Sequence, residues 1–336
     1  MLNYIIRRLL LMIPTLFIMS FMLFAIVRFA PGLAHPGGGG TTGKLNSRQA
    51  QKEQELEIKR RLHLVDRFGH PIGLPMQYWI WVRDIAEGHF GMSYQYDEPV
   101  LTLIEQRLPV TITLNLIATV IIYIIAVPGG MLAAVQRGRW FDRGFGFVTL
   151  ALYSLPSIWV GSMLLGFLAN PQFLDWFPAA GIHTTDTSHM TYFQYLGDYC
   201  YHITLPLICY VYGGFAVLSK QVRAAMLENM RQDYVRTARA KGVGNWALVV
   251  RHVFRNSLLP LITISAGVLP GLLAGSVIVE QIFSIRGMGA LAYKATFGHD
   301  LPVLQMVGLV GGIIGLLADL ITDLCYAVAD PRVSYE

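Results

Sequence analysis

The chain has 336 residues, of which 54% are hydrophobic and only 14% are charged, with a formal net charge of +5. In a soluble globular domain about a quarter of the residues are charged, so this composition excludes an ordinary soluble protein. The positive charge is concentrated in a few loops and requires no nucleic-acid partner. We therefore expect an integral membrane protein.

Six uncharged apolar runs are each long enough to cross a bilayer, which takes about 18 residues or more. Backbone polar groups inside lipid must be satisfied within the segment, and the runs are continuously apolar rather than alternating. We therefore expect helices and not a β-barrel. The fold class is predicted as all-α, a polytopic integral membrane protein with six transmembrane helices. The runs are residues 9–27, 110–135, 144–170, 199–219, 257–279 and 301–318.

The distribution of Lys and Arg predicts that both termini face the cytosol. With that orientation, the cytosolic pieces include eight cations between Lys220 and Arg255, whereas the opposite short loops carry only Arg286 and Lys294. Alternatively, the first run is a cleaved signal peptide, since a pair of arginines precedes it. Its length of about 19 residues exceeds the usual signal core, so we expect a retained first helix.

The chain is divided by these features into four parts. They are an N-terminal tail with the first helix (1–30), an outer loop with short helices (31–106), a core of five helices (107–328) that contains a cytosolic loop (220–256), and a cytosolic tail (329–336).

The outer loop begins with a Gly-rich stretch, after which residues 47–64 and a segment from Pro75 to Gly88 are predicted as short helices. Its aromatic side chains either rest at the lipid–water boundary or form the core of a small subdomain, and both alternatives remain open. These side chains are Trp79, Trp81, Tyr94 and Tyr96.

Residues 38–44 spell G-x-x-x-x-G-K, which is nearly a phosphate-binding loop. That motif needs Ser or Thr next, to hold magnesium, and a strand before it. Leu45 follows here, and a membrane helix precedes the stretch. We therefore expect that ATP is not bound by this chain.

Proline recurs inside the predicted spans, where it removes a backbone hydrogen bond and favours a bend. Small-residue spacings such as Gly308-x3-Gly312 favour close contact between helices. The prolines are Pro14, Pro128, Pro156, Pro206, Pro260 and Pro270.

The cytosolic loop between the fourth and fifth runs carries the strongest functional signal. We expect the fourth helix to continue over 218–230, a separate short helix over 232–241, a stop at Gly242 and a new helix over 246–255. This order of short elements is typical of a surface that docks on a partner.

Small side chains at Ala238 and Ala240 would let the short helix sit closely in a partner's groove, and Arg236, Arg239 and Lys241 would supply polar contacts around it. Alternatively, the loop contacts anionic lipid headgroups, as a basic segment beside a membrane does. Attraction to lipid needs only charge, so the Ala/Gly pattern favours docking.

Over residues 236–242 the chain reads R-T-A-R-A-K-G, and over 251–256 it reads R-H-V-F-R-N. These motifs resemble the cytosolic E-A-A-x3-G loop of membrane-spanning permeases of ATP-binding-cassette importers, in the version of the oligopeptide/dipeptide permease family. Arg236 and Thr237 depart from the general form, and Phe254-Arg255 stands in place of its Leu-Pro pair. Further matches cover nearly the whole length and are closest to the type associated with import of peptides and microcin C.

The resemblance implies a transport subunit rather than an enzyme. A second, homologous permease would form a heterodimer with this chain and enclose the peptide path in the bacterial inner membrane. Two cytosolic ABC ATPase subunits or domains would bind ATP and Mg, so this chain would hold no cofactor or metal. A periplasmic or lipid-anchored binding protein would deliver the peptide substrate.

The resemblance also implies that the short cytosolic helix is a coupling helix, which fits a cleft in the ATPase subunit and transmits its motion. The residues assigned to this role are Asp233, Tyr234, Arg236, Thr237, Ala238, Arg239, Ala240, Lys241 and Gly242.

Four residues near the outer end of the fifth helix are candidates for the peptide pathway or its outer gate. They are Glu280, Phe283, Gly287 and Gly289, in segments similar to those that the family has between helices five and six. Glu280 either meets a peptide amino group or forms an interfacial ion pair with Arg286 or Lys294, and both alternatives remain open.

Two other classes of protein compete with this interpretation. A secondary transporter driven by an ion gradient is expected to place ionisable groups near the bilayer centre and often to show inverted repeats. The six runs are uncharged through their middles. A membrane-embedded hydrolase is disfavoured because the chain has neither H-E-x-x-H nor G-x-S-x-G.

Overall fold

The computed structural model describes residues 2–29, 56, 60, 65–66, 68–258 and 277–329. Within these ranges every regular element is a helix, as predicted. The helices are α1 (Leu2–Phe29), α2 (Leu74–Ala86), α3 (Val100–Val135), α4 (Trp140–Ser154), α5 (Ser157–Leu168), α6 (Tyr192–Asn229), α7 (Asp233–Ala240), α8 (Asn245–Ala247), a π-helix (Leu248–Phe254), α9 (Val277–Ile282), α10 (Met288–Phe297) and α11 (Leu301–Ala329).

Four of the described helices are long and apolar enough to cross a membrane, namely α1, α3, α6 and α11. The predicted third span is not one continuous helix, because α4 and α5 meet at an angle of 93°. Pro156 occupies the N-cap of α5, and its missing N–H explains why the helix breaks there. The predicted fifth span lies mostly in residues 259–276, outside the described part of the chain. The count of six spans therefore stays a prediction.

The predicted helix over 47–64 falls almost entirely outside the described residues, whereas the second short helix of the outer loop is confirmed. It begins with Pro75 in the first turn of α2. It ends before Gly88, whose φ of +84° lies in the left-handed region that glycine adopts without strain.

The chain divides into two compact units, of which the first comprises Met1–Leu108 and Leu291–Ile314. In this unit the buried Tyr78 ring of α2 packs edge-on against three rings of α1, and its hydroxyl lies 2.8 Å from Ser20 Oγ. The three rings are Phe17, Phe21 and Phe24, with centroids 5.4, 5.2 and 5.6 Å away. Trp81 joins this packing, whereas Trp79 is 60% exposed. Trp81 therefore belongs to a packed aromatic core, whereas a position of Trp79 at the lipid–water boundary stays a prediction.

The Gly308-x3-Gly312 spacing in the first unit brings α11 against α1, as predicted. A Cβ added at Gly308 would lie 2.7 Å from Leu23 of α1, and one at Gly312 would overlap the Met19 side chain. The two glycines therefore make room for the apolar side chains of the neighbouring helix.

The second unit comprises Pro109–Ala290 and Gly315–Glu336. Here α3 lies close to both α4 and α6 because glycines leave no side chain between the helices. A Cβ added at Gly130 would lie 2.7 Å from the carbonyl oxygen of Ser219 in α6, and one at Gly129 would lie 2.7 Å from the Phe145 ring of α4. This unit contains both segments that the sequence marks as functional.

Candidate coupling surface and outer segment

Helix α6 runs well past the end of the predicted fourth run, to Asn229, as expected. Its 38 residues give a length of about 57 Å at 1.5 Å per residue, against a hydrocarbon core of about 30 Å. The last turns of α6 therefore carry the next element clear of the apolar layer.

That next element is α7, the short helix predicted from the sequence. Gln232 is its N-cap, Asp233 lies in its first turn and Arg239 in its last turn, so both charges suit the helix dipole. Gly242 has φ +81° and donates its N–H to the carbonyl of Arg239 at 3.0 Å. The predicted stop at Gly242 is confirmed, because this left-handed conformation favours glycine.

One face of α7 is buried inside this chain. Val235 and Ala238 are 2% and 8% exposed and share an apolar core with Val222 and Met226 of α6 and Leu248 of the π-helix. The expectation that the small side chain of Ala238 faces a partner's groove is therefore wrong. Its methyl group instead lets α7 pack closely against the chain's own helices.

The opposite face of α7 is exposed and mainly cationic, and we call it the coupling surface. Its residues are Asp233, Tyr234, Arg236, Thr237, Arg239, Ala240 and Lys241. Arg236 and Asp233 form an ion pair at 3.4 Å, with side chains 77% and 94% exposed, so the pair contributes little to stability. Arg236, Arg239 and Lys241 all remain accessible to an acidic or polar partner.

The helix expected over 246–255 is present, but most of it has a different winding. After three residues of α8 the chain forms a π-helix over Leu248–Phe254, with Leu248, Val249 and Val253 buried in the same core as α7. Runs of π-helix are rare and are frequent at functional sites. The apolar spacing in the sequence does not distinguish this winding from an α-helix. Trp246, just before it, is 73% exposed.

The second site is formed by residues 277–290, which we call the outer segment. Glu280 is fully buried there, and its carboxylate accepts hydrogen bonds from Thr111 Oγ1 at 3.1 Å and from the N–H of Ala290 at 2.7 Å. Gly289 N–H and the Tyr210 hydroxyl also donate to it. Within the described residues, neutral donors therefore satisfy Glu280. Among the described residues of this unit, Glu280 forms no ion pair with Arg286, one of the two cations considered above.

Thr111 is a site residue that the sequence analysis did not single out. Its hydroxyl donates to Glu280 and accepts the N–H of Met288 at 2.8 Å, so one side chain of α3 joins both ends of the outer segment. These residues are separated by 169 and 177 positions in the chain. A single threonine carries no pattern that would have revealed this contact.

The other candidate residues of the outer segment pack around the same carboxylate. A Cβ added at Gly287 would lie 2.5 Å from the Glu280 carboxylate, and one at Gly289 would lie 3.1 Å from it. Phe283 is 1% exposed and accepts the N–H of Gly181 at 2.9 Å through its carbonyl oxygen. The structure thus brings all four candidates together, and their role in the peptide path stays a prediction.

Within the described residues, no group of three or more His, Cys, Asp or Glu side chains is arranged to hold a metal ion. The two segments thus provide an exposed, mainly cationic surface beside a long helix and a hydrogen-bonded outer segment.

These features, a set of apolar spans with one broken at a proline and a short helix beyond the longest span, define a multi-pass membrane protein. Residues 126–335 match the family described as binding-protein-dependent transport system inner membrane component, and the chain belongs to that family. It is thus a multi-pass protein of the bacterial inner membrane and a transporter subunit rather than an enzyme.

Curated relatives cover the full length. The chain is 33% identical to the inner membrane ABC transporter permease protein YejB of Escherichia coli O157:H7, over 99% of both chains. It is also 33% identical to the oligopeptide transport system permease protein AppB of Bacillus subtilis (strain 168), again over 99% of both. The resemblance seen in the sequence is therefore confirmed at the level of the family. Because the chain is equally identical to both relatives, its assignment to the type associated with import of peptides and microcin C stays a prediction.

The fold is similar to that of a solved transporter. An inward-facing structure of the MetNI methionine ABC transporter has a chain that superposes with a TM-score of 0.53 at 17% identity, covering 69% of this chain and 99% of that one. Members of such systems work with ATPase subunits and a substrate-binding protein.

Proposed function

We propose that this chain is one of two permease subunits of an ATP-driven peptide importer, and that the coupling surface on α7 receives the motion of an ATPase subunit. The observation that carries the proposal is that α7 exposes a cationic face while its other face shares a core with α6. The names of the relatives, a peptide permease among them, support peptide as the substrate.

The remaining subunits follow from this role. A second, homologous permease encloses the peptide path together with this chain as a heterodimer. Two cytosolic ABC ATPase subunits or domains bind ATP and Mg, and this chain binds neither. A periplasmic or lipid-anchored binding protein delivers the peptide on the outer side. Both termini and the coupling surface face the cytosol, since most cations of the short loops lie on that side.

The mechanism is a shift between two arrangements of the transmembrane helices. ATP binding closes the ATPase subunits, which favours one arrangement, and hydrolysis releases it. Because α7 and α6 share one core, a displacement of the coupling surface displaces the cytosolic half of α6 as well. The outer segment, with Glu280, Phe283, Gly287 and Gly289, lies along the peptide path or forms its outer gate.

The test uses the complete complex in proteoliposomes, with ATP inside and the binding protein with labelled peptides outside. Reversing two charges of the coupling surface, Arg236→Glu with Arg239→Glu, should lower ATP-dependent uptake by about tenfold or more, because charged contacts at interfaces are strongly coupled. Arg83→Glu, an exposed cation on α2, is the matched control and should transport normally.

Two results would contradict the proposal. Uptake that is unaffected by the double reversal would remove the coupling surface from the mechanism. Uptake that continues without any ATPase subunit, driven by an ion gradient, would favour the class of secondary transporters instead.

A further inference from the structure

The bent pair, formed by α4 and α5, follows α6 from its cytosolic end to the level of the outer segment. At the cytosolic end, Arg223 of α6 binds Asp142 of α4 through two parallel hydrogen bonds, Nε to Oδ1 at 2.5 Å and Nη2 to Oδ2 at 2.9 Å. The Asp142 side chain is 7% exposed and also accepts the N–H of Gly138 at 2.8 Å. Two parallel bonds fix the relative orientation of the two groups as well as their distance.

Three further contacts tie the bent pair to α6. The ammonium of Lys220 lies 5.5 Å from the centre of the Tyr153 ring in α4. The hydroxyl of Tyr212 donates to the carbonyl of Leu155 at 2.9 Å, within the bend itself. Beyond the bend, a Cβ at Gly161 of α5 would lie 3.7 Å from Cys209 Sγ. These contacts are arranged in order along α6.

The far end of the bent pair reaches the outer segment. A Cβ at Gly161 would lie 3.0 Å from Ile282 Cδ1, so that α5 and α9 are in direct contact. Ile282 is two residues from Glu280, whose carboxylate organises the outer segment. A continuous series of packed groups therefore runs from the coupling surface through α6 and the bent pair to the outer segment.

We propose that Asp142 and Arg223 are positioning residues that make the bent pair move together with α6, so that the motion of the coupling surface reaches the outer segment. The inference rests on the proposed function of the coupling surface. Asp142 is buried and would be left without its cation if the pair separated, which is costly, so the pair stays formed while the helices move.

The experiment follows the outer segment directly and needs no peptide. Arg286, which is exposed, is replaced by Cys and labelled with bimane in a chain that carries Cys200→Ser, since Cys200 is an exposed thiol. The complete complex in lipid nanodiscs then receives Mg-ATP and vanadate. Fluorescence of the label, ATP hydrolysis and thermal unfolding are measured on the same samples. A complex whose chain keeps Arg286, treated with bimane in the same way, gives the background fluorescence.

Asp142→Asn and Arg223→Gln should each reduce the ATP-driven fluorescence change by about 2- to 30-fold, the usual range for residues between coupled sites. ATP hydrolysis should stay within about twofold of the parent. Coupling between two sites usually changes an affinity by about 5-fold or more, so a change below about twofold counts as no effect. The exchanged pair, Asp142→Arg with Arg223→Asp, should restore part of the change. Arg143→Gln, an exposed cation next to Asp142, is the matched control and should behave as the parent.

Three results would overturn the inference. In the first, the fluorescence change is the same in both single variants as in the parent. In the second, the fluorescence change falls in parallel with ATP hydrolysis and thermal stability, and the exchanged pair restores none of it. In the third, the parent itself shows no ATP-driven change at the outer segment. Should Arg223→Gln fail to assemble, Asp142→Asn decides, since it keeps the side-chain shape. If Arg236→Glu with Arg239→Glu abolishes the change whereas Asp142→Asn does not, only this inference fails and the proposed function stands.

Discussion

Gly287→Ala is the smallest change that should disrupt the outer segment. The added methyl group would lie 2.5 Å from both the carboxyl carbon and Oε1 of Glu280. Real contacts of a Cβ are longer, so the carboxylate has to leave its position. Glu280 is fully buried and is held by Thr111 and Ala290, so the displaced carboxylate loses hydrogen bonds without gaining contact with solvent.

The expected cost follows from two contributions. Insertion of a methyl group into a packed interior costs about 1–3 kcal/mol. Loss of one hydrogen bond to a buried charged group costs about 1.5–3 kcal/mol. Some strain is relieved when the carboxylate moves, so we expect the free energy of unfolding to fall by about 3 kcal/mol. Uptake of peptide should fall with it, because the outer segment loses its fixed geometry.

Unfolding of the chain in mixed micelles of a mild detergent and SDS measures this free energy. The matched control is Gly213→Ala in α6. It also replaces a glycine by alanine, but the added Cβ lies within 4 Å of no atom of another helix among the described residues. This control should be neutral or stabilising by about 0.5–1 kcal/mol. A second measurement places Gly287→Ala in a chain that already carries Glu280→Ala, where the added methyl group has no carboxylate to displace.

The reasoning would be refuted in either of two ways. Gly287→Ala proves as stable as the Gly213→Ala control, or it costs as much in the Glu280→Ala chain as in the natural one. The second result would mean that the cost comes from the backbone at residue 287 and not from the buried carboxylate.

Three other changes have defined outcomes. Thr111→Val removes the hydroxyl that joins Glu280 to α10 and should lower the free energy of unfolding by about 1–3 kcal/mol. Thr111→Ser keeps a hydroxyl and should retain most of that stability. Equal effects of the two variants would contradict the assigned hydrogen bonds. Gly242→Leu forces a branched side chain into a backbone conformation with φ +81°, at a cost of about 1–2 kcal/mol. This variant should uncouple uptake from ATP hydrolysis while nucleotide binding to the ATPase subunits persists. Normal uptake at normal expression would contradict this expectation. Tyr78→Phe keeps the ring packing but loses the bond to Ser20 and should cost about 1 kcal/mol in the same unfolding assay; a neutral result would assign the stability to the rings alone.

The sequence predicted most of the coupling loop because its signals are local. The short helix and its stop depend on side chains within a few positions of each other, such as Arg239 and Gly242, although the helix begins at Asp233 rather than at the expected residue 232. The same local reasoning failed for Ala238, because whether a small side chain faces a partner or the chain's own core depends on where α6 lies. Composition predicts a small side chain but not the direction in which it points.

The outer segment shows a different limit of sequence reasoning. Glu280 was singled out because a charge near the membrane is unusual, but its partners are a hydroxyl 169 positions away and two backbone N–H groups that any residue type could supply. The bend of 93° has a similar explanation. Proline predicts that a helix is weakened at Pro156, whereas the size of the angle is set by contacts such as Tyr212 to Leu155.

The length of α6 has a mechanical consequence. It is about 57 Å from end to end, so a tilt of about 10° around its midpoint swings each tip by roughly 5 Å. The two ends of the helix then move in opposite directions. In the mechanism proposed above, a single small rotation of α6 can therefore narrow one end of the peptide path while it widens the other end.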